Sequence, residues 1–206
     1  MDVRAAEWDA RYAAVDRVWS AGPNVFVEEH CAVLPPGRAL DVAGGEGRNA
    51  LWLADRGWEA TVADFSAVAL QRAAHLWDQR EEPAGRLHVH QADVLTDPLG
   101  DQSFDLVLVC YLQVPEQARR TVHASAAAAV APGGTLLVVA HHTDNLADGV
   151  GGPQDPAVLF SEDDVVADLV GTGLEVVSAA KGVRPVEVDG APASAYDAVV
   201  IARRPS

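Results

Sequence analysis

Residues 40–49 read Leu40-Asp41-Val42-Ala43-Gly44-Gly45-Glu46-Gly47-Arg48-Asn49, an apolar strand running through a glycine turn into the start of a helix. Glycine reaches backbone angles that other residues avoid, so glycines packed this closely mark a tight reversal that presents bare main chain. A second apolar strand, Glu59 to Ala63, follows, and Asp64 closes it. Strand, glycine turn, helix, strand and acid in that order predict two parallel strands with the helix as crossover.

The rest of the chain extends the pattern. Trp8, Tyr12, Val15 and Trp19 recur at helical spacing and predict an N-terminal helix with an aromatic stripe. Gly22-Pro23 breaks it, and a second helix is expected from Asn24 to Leu34. The first strand covers Ala39 to Ala43, and a helix from about Gly47 to Asp55 follows. Ser66 is placed to cap the next helix, and Arg86 to Gln91 forms a third strand leading to Asp93-Val94. Phe104 to Cys110 is continuously apolar, as a strand covered on both faces must be. A helix from Pro115 to Val130, the turn Ala131-Pro132-Gly133-Gly134 and the strand Thr135 to Ala140 come next. Asp144 to Pro156 then reads as a long Gly-, Asp- and Pro-rich loop, a length that in compact domains often marks a functional lid. Ser161-Glu162-Asp163-Asp164 opens another helix as a capping box, before two strands, Glu175 to Ala179 and Ala195 to Ala202, joined across Pro185 to Pro192. The expected fold is α/β and doubly wound, with helices on both faces of the sheet. One domain spans 1–206: a helical cap over 1–36, a core over 37–140, and a lid loop, helix and final strand pair over 141–206.

Composition removes several alternatives. A net charge of −15 disfavours nucleic acid and anionic membrane surfaces as partners. No apolar run approaches the roughly eighteen residues of a membrane span, and Asp2, Arg4 and Glu7 do not suit a signal peptide. Cys31 and Cys110 stand far apart without metal-ligand spacing, so neither a disulfide framework nor zinc is expected. These features predict a reduced, cytoplasmic protein, a monomer or homodimer, with a small-molecule substrate.

The glycine turn has two readings. Gly45-Glu46-Gly47-Arg48-Asn49-Ala50 satisfies the dinucleotide pattern G-x-G-x-x-A, which seats a pyrophosphate on the helix start. Here Asp41 precedes the turn and Glu46 lies within it, and two carboxylates repel a pyrophosphate. S-adenosylmethionine has no phosphate and carries a sulfonium and an ammonium, which acids welcome. The local chemistry therefore favours the sulfonium nucleoside.

Four landmarks then fall in order: Asp41-Val42-Ala43-Gly44-Gly45-Glu46-Gly47, Asp64, Asp93-Val94, and Pro132-Gly133-Gly134-Thr135. With them, residues 38 to 140 resemble a class I S-adenosylmethionine-dependent methyltransferase. The departure is Ala43, where the family usually has its first motif glycine. Arg48-Asn49 and the opening Trp8-Asp9-x-x-Tyr12 resemble the small tellurite-resistance and thiol-methyltransferase branch. The resemblance implies a mostly parallel seven-stranded sheet with the last strand antiparallel, and S-adenosylmethionine as cofactor. It implies that Ala43, Gly44, Gly45 and Gly47 let the methionine portion lie on the turn, with Asp41 beneath it, fixing the loop or reaching the ammonium. Asp64 would accept the ribose hydroxyls, Phe65 would lie on adenine, and Asp93 with the Val94 main chain would address the adenine edge. Cys110, Tyr111 and Leu112 would border the sulfonium.

Each of these residues has a plainer role available. Asp41 can tie down the turn, Asp64 can precede the Ser66 cap, Asp93 can open the Thr96-Asp97-Pro98 turn, and Phe65 and the aromatic stripe can simply pack. A strand-end position also predicts that Asp64 can be removed with little effect on folding.

Methyl transfer to a thiolate or hydroselenide needs little beyond positioning, whereas a hydroxyl or amine needs a base. Of seven histidines, only His141 and His142 fall at the carboxyl end of a central strand, so they are the candidate catalytic residues. Adjacent strand residues face opposite sides, so at most one of them reaches the substrate. A metal site from His141, His142 and Asp144 has no diagnostic spacing, and no metal is expected. The expected function is methyl transfer to a small molecule, with a thiol or chalcogen nucleophile first. The alternatives are an O- or N-methyltransferase and a non-catalytic protein that binds S-adenosylmethionine.

Overall fold

The computed structural model describes residues 3–14 and 22–206, so Val15 and Trp19 of the expected stripe lie outside the described residues. The strands are β1 (Arg38–Val42), β2 (Glu59–Asp64), β3 (Arg86–Gln91), β4 (Phe104–Cys110), β5 (Val130–His141), β6 (Glu175–Val188) and β7 (Ala191–Arg203). The helices are α1 (Val3–Ala13), α2 (Val25–Cys31), α3 (Arg48–Ala54), α4 (Ala67–Asp78), α5 (Glu116–Ala129) and α6 (Glu162–Asp168). Two 3-10 turns, Thr143–Leu146 and Pro156–Val158, interrupt the expected lid loop. All seven strands form one sheet in the order β3-β2-β1-β4-β5-β7-β6, with β7 antiparallel to both neighbours. The order reverses between β1 and β4, and the gap at the carboxyl ends of those strands is where open α/β sheets bind ligands.

Strand alternation divides the core. Leu106, Leu108, Leu137 and Val139 pack with Phe26 and Val27 of α2, Leu53 of α3 and Leu70 of α4. Val107, Val109, Leu136 and Val138 pack on the other face with Val122 and Ala126 of α5 and Val165 of α6. Ser66 caps α4 by accepting the Ala69 N–H at 3.1 Å. Ser161 and Asp164 form the expected capping box on α6.

The end of the chain differs from the sequence reading. β6 and β7 are long and joined by a two-residue turn, Asp189-Gly190, with φ of 51° and 80°. Asp-Gly with both residues at positive φ is the turn whose twist matches paired strands, so the expected connection across 185–192 is itself ladder. β5 pairs β7 only as far as His141 and Asp197, so the hairpin continues beyond the carboxyl edge of the sheet. The predicted turn at 131–134 lies within β5, where the β4 pairing shifts register between Phe104 and Leu106.

One buried charge cluster joins α5 to α6. Arg119 Nε and His123 Nδ1 lie 2.7 and 2.9 Å from Asp168 Oδ2, and all three side chains are buried. Removing one partner of such a cluster strands the others without compensation. Asp168→Ala is expected to lower the unfolding free energy by about 3 kcal/mol in an equilibrium urea titration.

Candidate active site

A cavity of about 690 Å³ opens at the carboxyl edge of the sheet. Asp41, Ala43, Gly44, Asp64, Phe65, Asp93, Val94, Cys110 and His141 all line it. So do Glu7, Trp8, Arg11 and Tyr12 of α1, which form a cover, and Gly152-Pro153 of the loop after β5. Gly45, Gly47 and His142 are not in its wall.

The glycine turn is held by side chains as much as by its own backbone. Gly45 donates its N–H to Asp64 Oδ2 at 2.9 Å, and Ser66 donates to Asp64 Oδ1 at 2.8 Å. The Asp64 carboxylate thus ties the first loop to the start of α4, and the expectation that it is dispensable for folding is corrected. Each of its oxygens keeps a second acceptor position. A Cβ on Gly44 would stand 2.8 Å from the Asp41 carboxyl and from Val62, so only glycine fits there. Gly47 starts α3 at φ 75°, close enough to α4 that a Cβ would sit 3.2 Å from Ala73. Ala43, in the place of the family glycine, adopts φ 52°, a region an L side chain enters at a cost of roughly 1–2 kcal/mol.

Asp41 is buried beneath the turn and accepts the Ala50 N–H at 3.3 Å through Oδ2. Burial raises its pKa to about 6, against the opposing Ala50 N–H, Asn49 side chain and Arg48 charge. Its other oxygen, Oδ1, is buried with no hydrogen-bond partner among the described residues. Glu46 turns away from the cavity and pairs with Arg72 at 2.9 Å, so of the two acids at the first glycine turn, Asp41 lines the cavity and Glu46 does not. Asp93 accepts the Leu95 N–H at 3.0 Å and its carbonyl accepts from Asp97, so it opens the 93–97 turn while also lining the cavity.

The cover is fastened by Asp9, whose Oδ1 accepts from the Ser66 hydroxyl and from the Val68 N–H at 3.2 Å. Trp8 and Tyr12 lie on the cavity side with ring centroids 5.7 Å apart.

At the opposite end stand Cys110, Tyr111 and His141. Burial pushes the Cys110 thiol well above its ordinary pKa, and Asp41 adds to it. Burial and Asp197 push Tyr111 up to about 12, so neither group is an anion near neutral pH. Tyr111 adopts φ 57° and stacks on His141 at 4.5 Å, 23° from parallel. Burial lowers the His141 pKa, Asp197 raises it and Arg184 lowers it, leaving a net decrease. Gly152 lies against the same imidazole, where a Cβ would be 2.7 Å from Cγ. His142 points to the α6 side: its Nδ1 accepts the Asp144 N–H at 3.0 Å, and Nε2 is 3.1 Å from Glu162. The two histidines therefore diverge, and no metal-binding cluster occurs among the described residues. Sequence reasoning missed Asp197. Its signal was an acid inside the apolar run Ala195–Ala202.

Residues 39–134 match the family model for a methyltransferase domain. No curated protein matches the chain. Among solved structures, one described as "Conversion of a Disulfide Bond into a Thioacetal Group during Echinomycin Biosynthesis" superposes with a TM-score of 0.76 at 22% identity, covering 98% of this chain and 92% of that one. TehB from Haemophilus influenzae gives 0.71 at 16% identity, over 90% of this chain and 63% of its own. The glycopeptide N-methyltransferase MtfA, complexed with S-adenosylmethionine, gives 0.66 at 21% identity, over 91% of this chain and 89% of its own. The chain thus carries a methyltransferase domain over 39–134, set in a sheet whose order is that of the Rossmann-like methyltransferase fold.

Proposed function

We propose that the chain transfers the methyl group of S-adenosylmethionine to a heteroatom of a small molecule held between α1, the 147–155 loop and the β4–β5 edge. The observation that carries this reading is the cavity itself. It lies at the point where strand order reverses, and its volume of about 690 Å³ falls in the ~300–1,000 Å³ range of small-molecule sites. The residues fit the cofactor. The unpartnered Asp41 Oδ1 calls for a donor, which the cofactor's ammonium provides. The free acceptor positions of Asp64 suit a ribose diol, and Phe65, Val94 and Leu95 give adenine an apolar slot. The cofactor supplies an electrophilic methyl group on a sulfonium. The chain's residues orient the partners and exclude water, with α1 and Gly152-Pro153 closing the cavity on two sides.

A sulfur acceptor is the first reading, supported by the disulfide-to-thioacetal chemistry of the structure that superposes over 98% of the chain. An oxygen or nitrogen acceptor is the second, supported by the neutral imidazole of His141 at the cavity wall.

Calorimetry is expected to give micromolar binding of S-adenosylmethionine or its demethylated product, and weaker binding of NAD. Asp64→Ala removes charge-assisted bonds to the ribose and the acceptor of two buried N–H groups. It is expected to cost about 2–4 kcal/mol of cofactor affinity and about 2 kcal/mol of folding stability. An unchanged dissociation constant in a folded variant would exclude the ribose role.

Asp41 makes binding pH-dependent. Below pH about 6 its carboxyl is protonated in the free protein, and pairing with an ammonium requires that proton to leave. Affinity for S-adenosylmethionine is therefore expected to fall about tenfold from pH 7.5 to pH 5, and to be nearly flat in Asp41→Asn.

Labelled-methyl assays over thiols, phenols and amines separate the two acceptor classes. With a thiol the rate follows the acceptor's own thiolate fraction and His141→Ala has a modest effect. With a hydroxyl or amine the same substitution lowers the chemical step by about 10²-fold or more.

A further inference from the structure

His141 and Asp197 are direct cross-strand partners on β5 and β7, so their side chains stand on the same face of the sheet. Asp197 is fully buried, and its Oδ2 takes the Arg184 Nε–H at 2.9 Å. Its Oδ1 faces His141 Nδ1 at 3.6 Å, and both atoms are buried with no hydrogen-bond partner among the described residues. Two unpaired polar atoms facing each other in a dry site cost about 1–3 kcal/mol apiece, and a proton on Nδ1 with a small closure turns them into a charge-assisted bond. Active-site hydrogen bonds are often long before substrate binds and shorten in the reacting complex.

The ring is otherwise fixed. Tyr111 stacks on it, Gly152 lies against it, and the His141 main-chain N–H donates to Gln113 Oε1 at 3.0 Å. An acid in the apolar strand β7 needs a purpose, and pairing with Arg184 accounts for only one of its oxygens.

We infer that Asp197 is a positioning residue that holds His141 in the Nδ1–H tautomer, leaving Nε2 to receive the acceptor's proton as the methyl group is transferred. This rests on the second of the readings above, methyl transfer to an oxygen or nitrogen that carries a proton. In the step, the acceptor's lone pair forms the new bond to the methyl carbon and the carbon–sulfur bond breaks, its electron pair staying on the departing sulfur. The acceptor's proton passes to Nε2, the imidazolium is balanced by Asp197, and the proton later leaves to solvent. The charged and titratable groups facing the imidazole are Asp197 from β7, Arg184 from β6 and Tyr111 from the end of β4, with Arg48 of α3 over the far side of Tyr111. Arg184 and Arg48 flank Tyr111 at 6.0 and 5.7 Å. Asp197 is thus the anion in the group, and it opposes the loss of basicity that burial and Arg184 impose.

The test is ¹⁵N NMR of the histidine rings in the full chain, with the His141 signals assigned from their loss in His141→Gln. The expected result at pH 7.5 is a neutral His141 with its proton on Nδ1. In Asp197→Asn, Arg184 keeps the amide oxygen and the amide NH₂ turns to Nδ1, so the ring is expected to switch to Nε2–H and its pKa to fall by about one unit. An Nε2–H tautomer in the unsubstituted chain overturns the inference, and this holds even if the variant does not fold. A tautomer unchanged by Asp197→Asn overturns it as well, since Asp197 would then serve Arg184 alone. Binding of S-adenosylhomocysteine by the same unsubstituted sample is read separately. Its absence would sink the methyltransferase reading while leaving the tautomer result to stand on its own.

Discussion

Two buried carboxylates, Asp41 and Asp64, hold the loops on which the cavity depends. A carboxylate is costly to bury unless N–H groups point at it, and here the N–H groups belong to the main chain that must be positioned. Asp64 takes one from Gly45 and one from Ser66, joining the turn after β1 to the cap of α4. Asp41 takes one from Ala50 in the first turn of α3. The positive backbone angles of Ala43, Gly45 and Gly47 thus lie in a turn that side chains from two neighbouring strands hold. The same acids present their remaining lone pairs to the cavity, so one pair of residues both builds the site and supplies its polarity.

From Asp41 the polar contacts continue to the far end of the cavity. Asn49 faces Asp41 and also accepts the Asn24 N–H at 2.9 Å, which docks α2 on α3. The Asn24 side chain and the Arg184 guanidinium both meet Tyr111, and Arg184 holds Asp197. Tyr111 sits at φ 57°, a strained angle retained where stacking on His141 and the bonds to its hydroxyl fix the ring. Cofactor end and acceptor end are thereby parts of one connected network, with the hairpin of β6 and β7 as its outer member.

Much of this was legible in the sequence because the signals are local. Asp41, the glycines, Asp64 and Asp93 announce themselves by their place at strand ends, and the apolar runs of β4 and β5 mark the sheet's centre. The two-fold alternation of a strand also foretold that His141 and His142 would part company. What the sequence hid was long-range. Asp197 meets His141 only through the antiparallel pairing of β5 with β7, across 56 residues of chain, and no local pattern announces that register. Glu46 looked like part of the cavity because it sits inside the glycine turn, but Arg72 on α4 draws it aside. Asp9 gave no sign that it would cap α4, since a cap supplied from another helix leaves no local pattern.

Gly152 carries a consequence for the dielectric around the imidazole. Its main chain lies so close to His141 that any side chain would have to displace the ring. Its φ of 76° is one that side-chain-bearing residues rarely adopt. The roof over the ring is therefore peptide backbone, whose dipoles are fixed in place and do not reorganise as a proton moves. With Tyr111 as the floor and the roof made of main chain, the polarity felt by His141 is built into the fold and does not depend on how surface side chains happen to be arranged.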